Sequence, residues 1–268
     1  MQFRQKALAK LQSPEELDLP VRLARPQGRL VLAVTVLVMA AASVWAVTGT
    51  VSTTLRAPGV LTHAQGSYVL QSPYAGQITG VLAREGARLD ADAPLVKVRT
   101  AQGEKVVRTI AAGRVTGMAV AIGAVVRTGA DVATVERVEG AADPLLAVLY
   151  VPAGSATTVP VGAAVDVTVQ SVPSSSYGTV RGTVQAVGRS QQTRRQITAF
   201  LGDGQLGDEF SRGGAPVAIL VRLDPVSGTK SGYRWSSPKG PPYALDSMTR
   251  ATGAVRLAER RPIDWLLP

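Results

Sequence analysis

Catalysis in this chain would have to run through very few side chains. His63 is the single histidine among 268 residues, and there is no cysteine. Thiolate nucleophiles, disulfides and thiolate metal sites are therefore excluded, and a serine nucleophile would find its one imidazole base in His63. The G-x-S-x-G turn that such a nucleophile uses is absent, as are H-E-x-x-H, the phosphate-cradling G-x-x-x-x-G-K-[ST] and any G-x-G-x-x-G following a strand. His63 lies in a polar stretch and reads as a surface residue. Asp90 and Asp92 are close enough in sequence to share acid–base work, but a turn between short strands puts both on the surface. Lys105, one of six lysines (with Lys6, Lys10, Lys97, Lys230 and Lys239), reads as a solvated hairpin charge. No catalytic group, cofactor site or metal site is expected.

The elements that carry these residues are dominated by an internal repeat. Residues 75–98 and 112–135 match at a constant offset, with Ala75/Ala112, Gly76/Gly113, Thr79/Thr116, Gly80/Gly117, Gly86/Gly123, Ala87/Ala124 and Ala93/Ala130 identical. Apolar positions match too, as in Ile78/Val115, Leu95/Val132 and Val98/Val135. Two copies are too few for a solenoid, so a fused pair with pseudo-twofold symmetry is expected. Gly76, Gly80, Gly86, Gly113, Gly117 and Gly123 are read as turn positions, where Gly reaches backbone angles closed to other residues. Each copy is then a small hairpin unit whose apolar face is covered by the other.

Ahead of the repeat, Leu30 to Val47 carries no charge and is long enough to cross a bilayer if continued to Val51. Trp45 fits an interfacial anchor near its far end. Six Lys/Arg (Arg4, Lys6, Lys10, Arg22, Arg25, Arg29) precede it, and Arg56 alone follows before Arg84. The positive-inside rule places the N-terminus in the cytoplasm and residues 52–268 outside. Ser13-Pro14 reads as a helix start in the leading segment. The net charge of +10 is scattered without stacking aromatics, which argues against nucleic acid and for attraction to an anionic bilayer surface.

After the repeat, Val165, Val167 and Val169 alternate with polar residues, and Val180, Gly182 and Val184 do the same, two half-buried strands joined at Ser174–Ser176. Gln191 to Leu201 allows a short helix followed by a flexible loop. Asp224 to Asp246 reads as a long loop whose aromatics, Tyr233 and Trp235, pack on the neighbouring strands. A last strand runs from Gly253 to Glu259.

The pattern A-x-G-x-[IV]-x-G followed by G-x-x-V resembles the half-motifs of lipoyl/biotinyl-type domains. In carriers of that type a hairpin tip presents a modifiable lysine. In membrane fusion proteins of the HlyD type the tip has no lysine and usually holds a coiled coil. Between the halves here stands R-T-A-Q-G-E-K-V-V-R, with Ala101-Gln102-Gly103 at its centre and no room for a coiled coil. Residues 145–187 resemble the HlyD-type barrel segment, and E-R-R-P-I with its apolar tail resembles the family's closing strand. The opening F-R-x-K-A-L-x-K-L-x-S-P-E-x-L-D is similar to the secretion subunit of NHLM-type bacteriocin export systems.

The resemblance implies a mainly β chain: an N-terminal transmembrane helix, a lipoyl/biotinyl-like β-sandwich of two half-motifs and a β-barrel, without the coiled-coil hairpin. The implied division is a cytoplasmic segment (1–29), the helix (30–51), the lipoyl-like module (67–137), and a barrel with membrane-proximal region (52–66 and 138–268). It also implies a single-pass adaptor in the cell membrane that forms homo-oligomers beside a peptidase-containing ABC transporter and meets an exported peptide transiently. Arg260, Arg261, Pro262 and Trp265 are then a tail docking on transporter or bilayer. The alternative is a membrane-anchored carrier, or an extracytoplasmic binding module with no transport partner.

Overall fold

The structure is a computed structural model and describes residues 26–48, 53–138, 140 and 143–257. The Ser13 helix start, residues 49–51 of the expected span, the end of the last expected strand and the tail with Arg260, Arg261, Pro262 and Trp265 all lie outside those residues. The chain divides into two units, one holding the N-terminal helix and the other spanning Ser52–Ala258.

Helix α1 (Pro26–Thr48) starts on a proline, whose missing N–H costs nothing in the first turn. Leu30, Leu37, Val44, Trp45 and Val47 are all exposed. A helix apolar on every side and covered on none is built for a non-aqueous surround, and its 23 residues reach about 34 Å, enough for a bilayer core. The hydroxyls of Thr35, Ser43 and Thr48 turn back onto carbonyls four residues earlier, at 2.8, 2.8 and 2.7 Å, so none projects as an unsatisfied group. Gly28–Thr48 is therefore a candidate membrane span.

Among the described residues the second unit holds fourteen strands in two assemblies. The first is a closed six-stranded barrel: β1 (Thr54–Thr62), β10 (Leu146–Val151), β13 (Val217–Leu223), β12 (Val180–Val187), β11 (Ala164–Val169) and β14 (Arg250–Arg256), in that order around the wall, all antiparallel. Closure leaves no barrel edge unpaired. Val165, Val167 and Val169 face inward with Val180, Val184, Ile219, Val221 and Val255, as their alternation with polar residues predicts. Single helical turns, α2 (Ala153–Ala156) and α3 (Ser174–Tyr177), close two of the loops. The long segment after β13 packs on the barrel: Trp235 is buried, bridges Val180, and donates its indole N–H to Ser231 at 2.9 Å.

The second assembly is inserted between β1 and β10. It is a sandwich of two four-stranded sheets made from β2 (Ser67–Gln71), β3 (Gly76–Val81), β4 (Arg88–Leu89), β5 (Pro94–Thr100), β6 (Gly103–Arg108), β7 (Gly113–Met118), β8 (Val125–Val126) and β9 (Asp131–Arg137). One sheet runs β2-β9-β7-β4 and the other β6-β5-β3-β8. The repeat is exchanged between them. β4 of the first copy pairs with β7 of the second, and β8 of the second pairs with β3 of the first. The amide of Gly86 donates to Val115 at 2.7 Å and that of Gly123 to Ile78 at 2.8 Å, the same bond made twice. The repeat is also longer than its glycine pattern suggests. His63-Ala64-Gln65-Gly66 before β2 corresponds to Thr100-Ala101-Gln102-Gly103 around the β5–β6 turn, so residues 63–99 and 100–136 tile the module. Its core is drawn evenly from both copies: Leu70/Val107, Ile78/Val115, Leu95/Val132 and Val98/Val135 are all buried.

The six glycines divide into three pairs, and only one pair lies in turns. Gly86 and Gly123 have φ of 84° and 93°. Gly76 and Gly113 are instead the first residues of β3 and β7, with no positive φ, and are needed for another reason. A Cβ on Gly76 would run into the carbonyl oxygen of Arg99, and one on Gly113 into that of Glu136, because these strands cross the partner backbone too closely. Gly80 and Gly117 sit at irregularities in the ladders, inside strands, where a neighbour shifts register.

Residues 191–214 also depart from the sequence expectation. In place of one helix and a flexible loop there are two helices, α4 (Arg194–Leu201) and α5 (Gly204–Ser211), forming a hairpin. Thr193 and Gln196 form a reciprocal capping box at the start of α4, Gly202 ends it at φ 70°, and Asp203 caps α5 through the amides of Gln205 and Leu206. Ile197, Leu201, Leu206 and Phe210 bury one face against Val60, Val148 and Tyr150 on the outer barrel wall.

Candidate functional site

The side chains with chemical potential are not brought together. Lys105 lies on β6 opposite Val98, exposed, and the hairpin tip is the two-residue turn Ala101-Gln102. The lysine is thus on the flank of the β5–β6 hairpin, away from the place where a swinging cofactor arm would have free reach. Asp90 and Asp92 are exposed in the turn before β5, and Asp92 adopts φ 62° where the second copy has Gly129 at 83°. Among the described residues no three His, Cys, Asp or Glu side chains gather as a metal site. The spacing Gly202-x-Gly204-x-x-Gly207 does occur, but between two helices. Gly202 ends α4, and a Cβ on Gly207 would collide with the Thr198 hydroxyl across the hairpin, so these two glycines serve the helical hairpin itself. A cavity of about 380 Å³ beside Tyr150 and Phe210 has Glu209 on its wall, and that carboxylate is held by Arg250 at 3.0 Å.

His63 is where the structure overturns the sequence reading most clearly. It is 8% exposed, not a surface residue, and stands at the joint between barrel and module. The chain leaves β1 at Thr62, turns through His63–Gly66 and enters β2; it returns along β9 through Glu136 and Arg137. Glu136 is fully buried. Its Oε1 accepts from the Thr62 hydroxyl at 3.0 Å and the His63 amide at 3.1 Å, and the His63 Nδ1 lies 2.9 Å away. That last contact is at ion-pair distance but off the line of an N–H bond, and Oε2 has no aligned donor. Burial pushes the Glu136 carboxyl up. The His63 imidazole and the Ser247 hydroxyl, followed by the charge on His63 and its amide, outweigh burial and hold the carboxyl below the usual range. Sequence offered one signal for the site: Glu136 follows the uncharged run Val132-Ala133-Thr134-Val135 directly, next to the end of the repeat.

The joint is completed by the helical hairpin and one loop. Gly202 of α4 packs against Ser67 and Thr134, and Phe200 covers Gly66. Arg114 reaches Asp246 at 3.7 Å, a bridge exposed enough to be worth little. Among the described residues nothing packs over the twofold-related end of the module. There Gly103 has nothing within 4 Å, Glu104 stands in place of Ser67 and Lys97 in place of Thr134. Those two pair at 3.5 Å, and Thr79 donates to Glu104 at 2.8 Å. Its charges are dressed for water, which blunts an open sheet edge.

No family model matches this chain, and no curated protein matches it by sequence. Solved structures do share its fold. ZneB from Cupriavidus metallidurans aligns over 78% of this chain and 100% of its own, with TM-score 0.52 and 12% identity. MacA from Actinobacillus actinomycetemcomitans aligns over 80% and 81%, with TM-score 0.52 and 9% identity. The membrane fusion protein Spr0693 from Streptococcus pneumoniae R6 aligns over 76% and 99%, at 9% identity and a TM-score of 0.42. At these identities the likeness to ZneB and MacA is one of fold. The chain has a mainly β fold with an N-terminal apolar helix and a six-stranded barrel, and among the described residues the module hairpin carries no inserted helices.

Proposed function

We propose that this chain is a membrane-anchored adaptor, a membrane fusion protein of HlyD type, serving an ABC exporter of a ribosomally made peptide. The observation that carries the reading is the order of parts: an all-round apolar helix, one barrel strand, a duplicated lipoyl-like module, then the rest of the barrel. ZneB and MacA align with this chain over most of their own length, which supports the reading at the level of fold. The placement of Lys105 away from the hairpin tip favours an adaptor over a carrier. The similarity of the opening segment to the NHLM-type secretion subunit, with the missing coiled coil, supports a bacteriocin cargo and a peptidase-containing transporter. On this reading α1 tethers the chain with its N-terminus in the cytoplasm, and copies assemble around the exit of the transporter. With its module ending in a two-residue turn, the adaptor shapes that exit locally without building a long duct.

Deleting the gene tests this. Precursor peptide and partner ATPase should remain while peptide in the medium falls sharply. Residues 52–268 without the helix should fail to restore export, because a tether raises the local concentration by orders of magnitude. An unrelated single-span helix should restore it at least in part. Wild-type export in the deletion strain would refute the reading.

A further inference from the structure

The joint between barrel and module contains an unusual arrangement of charge. Glu136 is a buried carboxylate whose donors are neutral: the Thr62 hydroxyl and the His63 amide on one oxygen, and the nearby Ser247 hydroxyl. Among the described residues, the one cation placed to balance it is the imidazole of His63. We propose that His63 and Glu136 form a pH-responsive latch between the two assemblies, closed while the imidazole is protonated and loosened as it loses that proton, so that the module pivots on the barrel.

Three observations carry this. The first is the charge inventory around the pair. From β9 comes Arg137, whose guanidinium turns away to the carbonyl of Gln65 with Nε at 3.1 Å. From β7 comes Arg114, paired with Asp246 of the loop before β14. That loop also supplies Ser247, whereas β2 brings Ser67 and α4 brings Phe200 and Gly202, none of them charged. Deprotonating His63 therefore leaves a buried carboxylate without a countercharge, the costly half of a broken ion pair.

The second observation is packing. Barrel core, module core and the cluster beneath the helical hairpin are three separate apolar groups, and none contains side chains from both barrel and module. Little apolar burial opposes a pivot. The third is the repeat. The equivalent positions at the free end hold Thr100 and Arg99, so the acid and the imidazole occur only where the module meets the barrel. The sign follows from the chemistry. Histidine as a side-chain type changes charge between about pH 5 and 8, above the range in which carboxylates ordinarily do. The latch is closed at the acidic side of the window and loosens as pH rises through it.

The test uses the full chain in lipid nanodiscs. Amide hydrogen exchange, corrected for intrinsic rates, is followed at Gly66 and Arg137, whose amides bond to His63 and Gly66 across the turn at 3.0 and 2.9 Å. Protection there should fall about tenfold from about pH 6 to about pH 8, while barrel amides of Val165–Val169 stay constant. His63→Gln, which keeps a neutral donor but does not titrate, should flatten the dependence. Because His63 is the one histidine, its imidazole NMR signals need no mutagenesis to assign, and their titration midpoint should coincide with the loss of protection. Equal joint protection at both pH values, the same slope in His63→Gln, or a midpoint displaced from the protection change would each overturn the proposal.

Discussion

Glu136 and Arg99 occupy one position in the two copies of the module, and their surroundings explain why they differ. Arg99 precedes an open hairpin turn and meets water; Glu136 precedes the return to the barrel and meets Thr62 and His63. Since its carboxyl is held below the usual range, Glu136 contributes stability above the ordinary carboxylate pKa, and that contribution is lost as pH falls through the lower folded value. Glu136→Gln should therefore shallow the acid limb of a stability–pH curve measured by chemical denaturation of the full chain in detergent, whereas Glu104→Gln, at an exposed site, should leave it nearly unchanged. The glycines make a second residue-scale case. Gly113→Ala or Gly76→Ala sets a methyl against a partner carbonyl and should cost about 2–4 kcal/mol. Gly117→Ala meets nothing within 4 Å and has no positive φ, so it should cost less than about 1 kcal/mol in the same assay. Equal effects at Gly113 and Gly117 would contradict the close-approach account.

Among the elements, the α4–α5 hairpin is the one that sequence reasoning underrated. Its signals were present. Thr193-x-x-Gln196 is a capping box, Asp203 a second N-cap, and Ile197, Leu201, Leu206 and Phe210 fall at helical spacing. A polar run with Arg194-Arg195 and several glycines hid them, because helices of eight residues are marginal alone and owe their stability to the wall they cover. Leu201 is fully buried, so Leu201→Ala should destabilise the second unit by about 2–5 kcal/mol. The exchange at Arg195, exposed on the opposite face, should be silent; differential scanning calorimetry separates the two.

For the whole molecule, the expected topology is open to a direct check. A reporter fused after Pro268 should be active only outside the cytoplasm, and one fused at Met1 only inside. Protease resistance of the C-terminal region in intact spheroplasts would contradict this orientation.

The amino-acid sequence by itself determined a good deal. The uncharged run Leu30–Val47, the repeat and the alternating valines follow from one-dimensional rules, because helix periodicity, strand periodicity and bilayer length are local quantities. The absence of motifs narrowed the chemistry for the same reason. What tertiary structure alone decided is what depends on which strands become neighbours. Close approach of β3 to β5 and of β7 to β9 gives Gly76 and Gly113 their purpose, and such an approach is a relation between strands that leaves no trace in either. Likewise His63 and Glu136 are separated by nearly the whole module along the chain. Only insertion of that module into the barrel, which makes its first and last segments neighbours, turns an apparently exposed histidine and a stray acid into a buried pair.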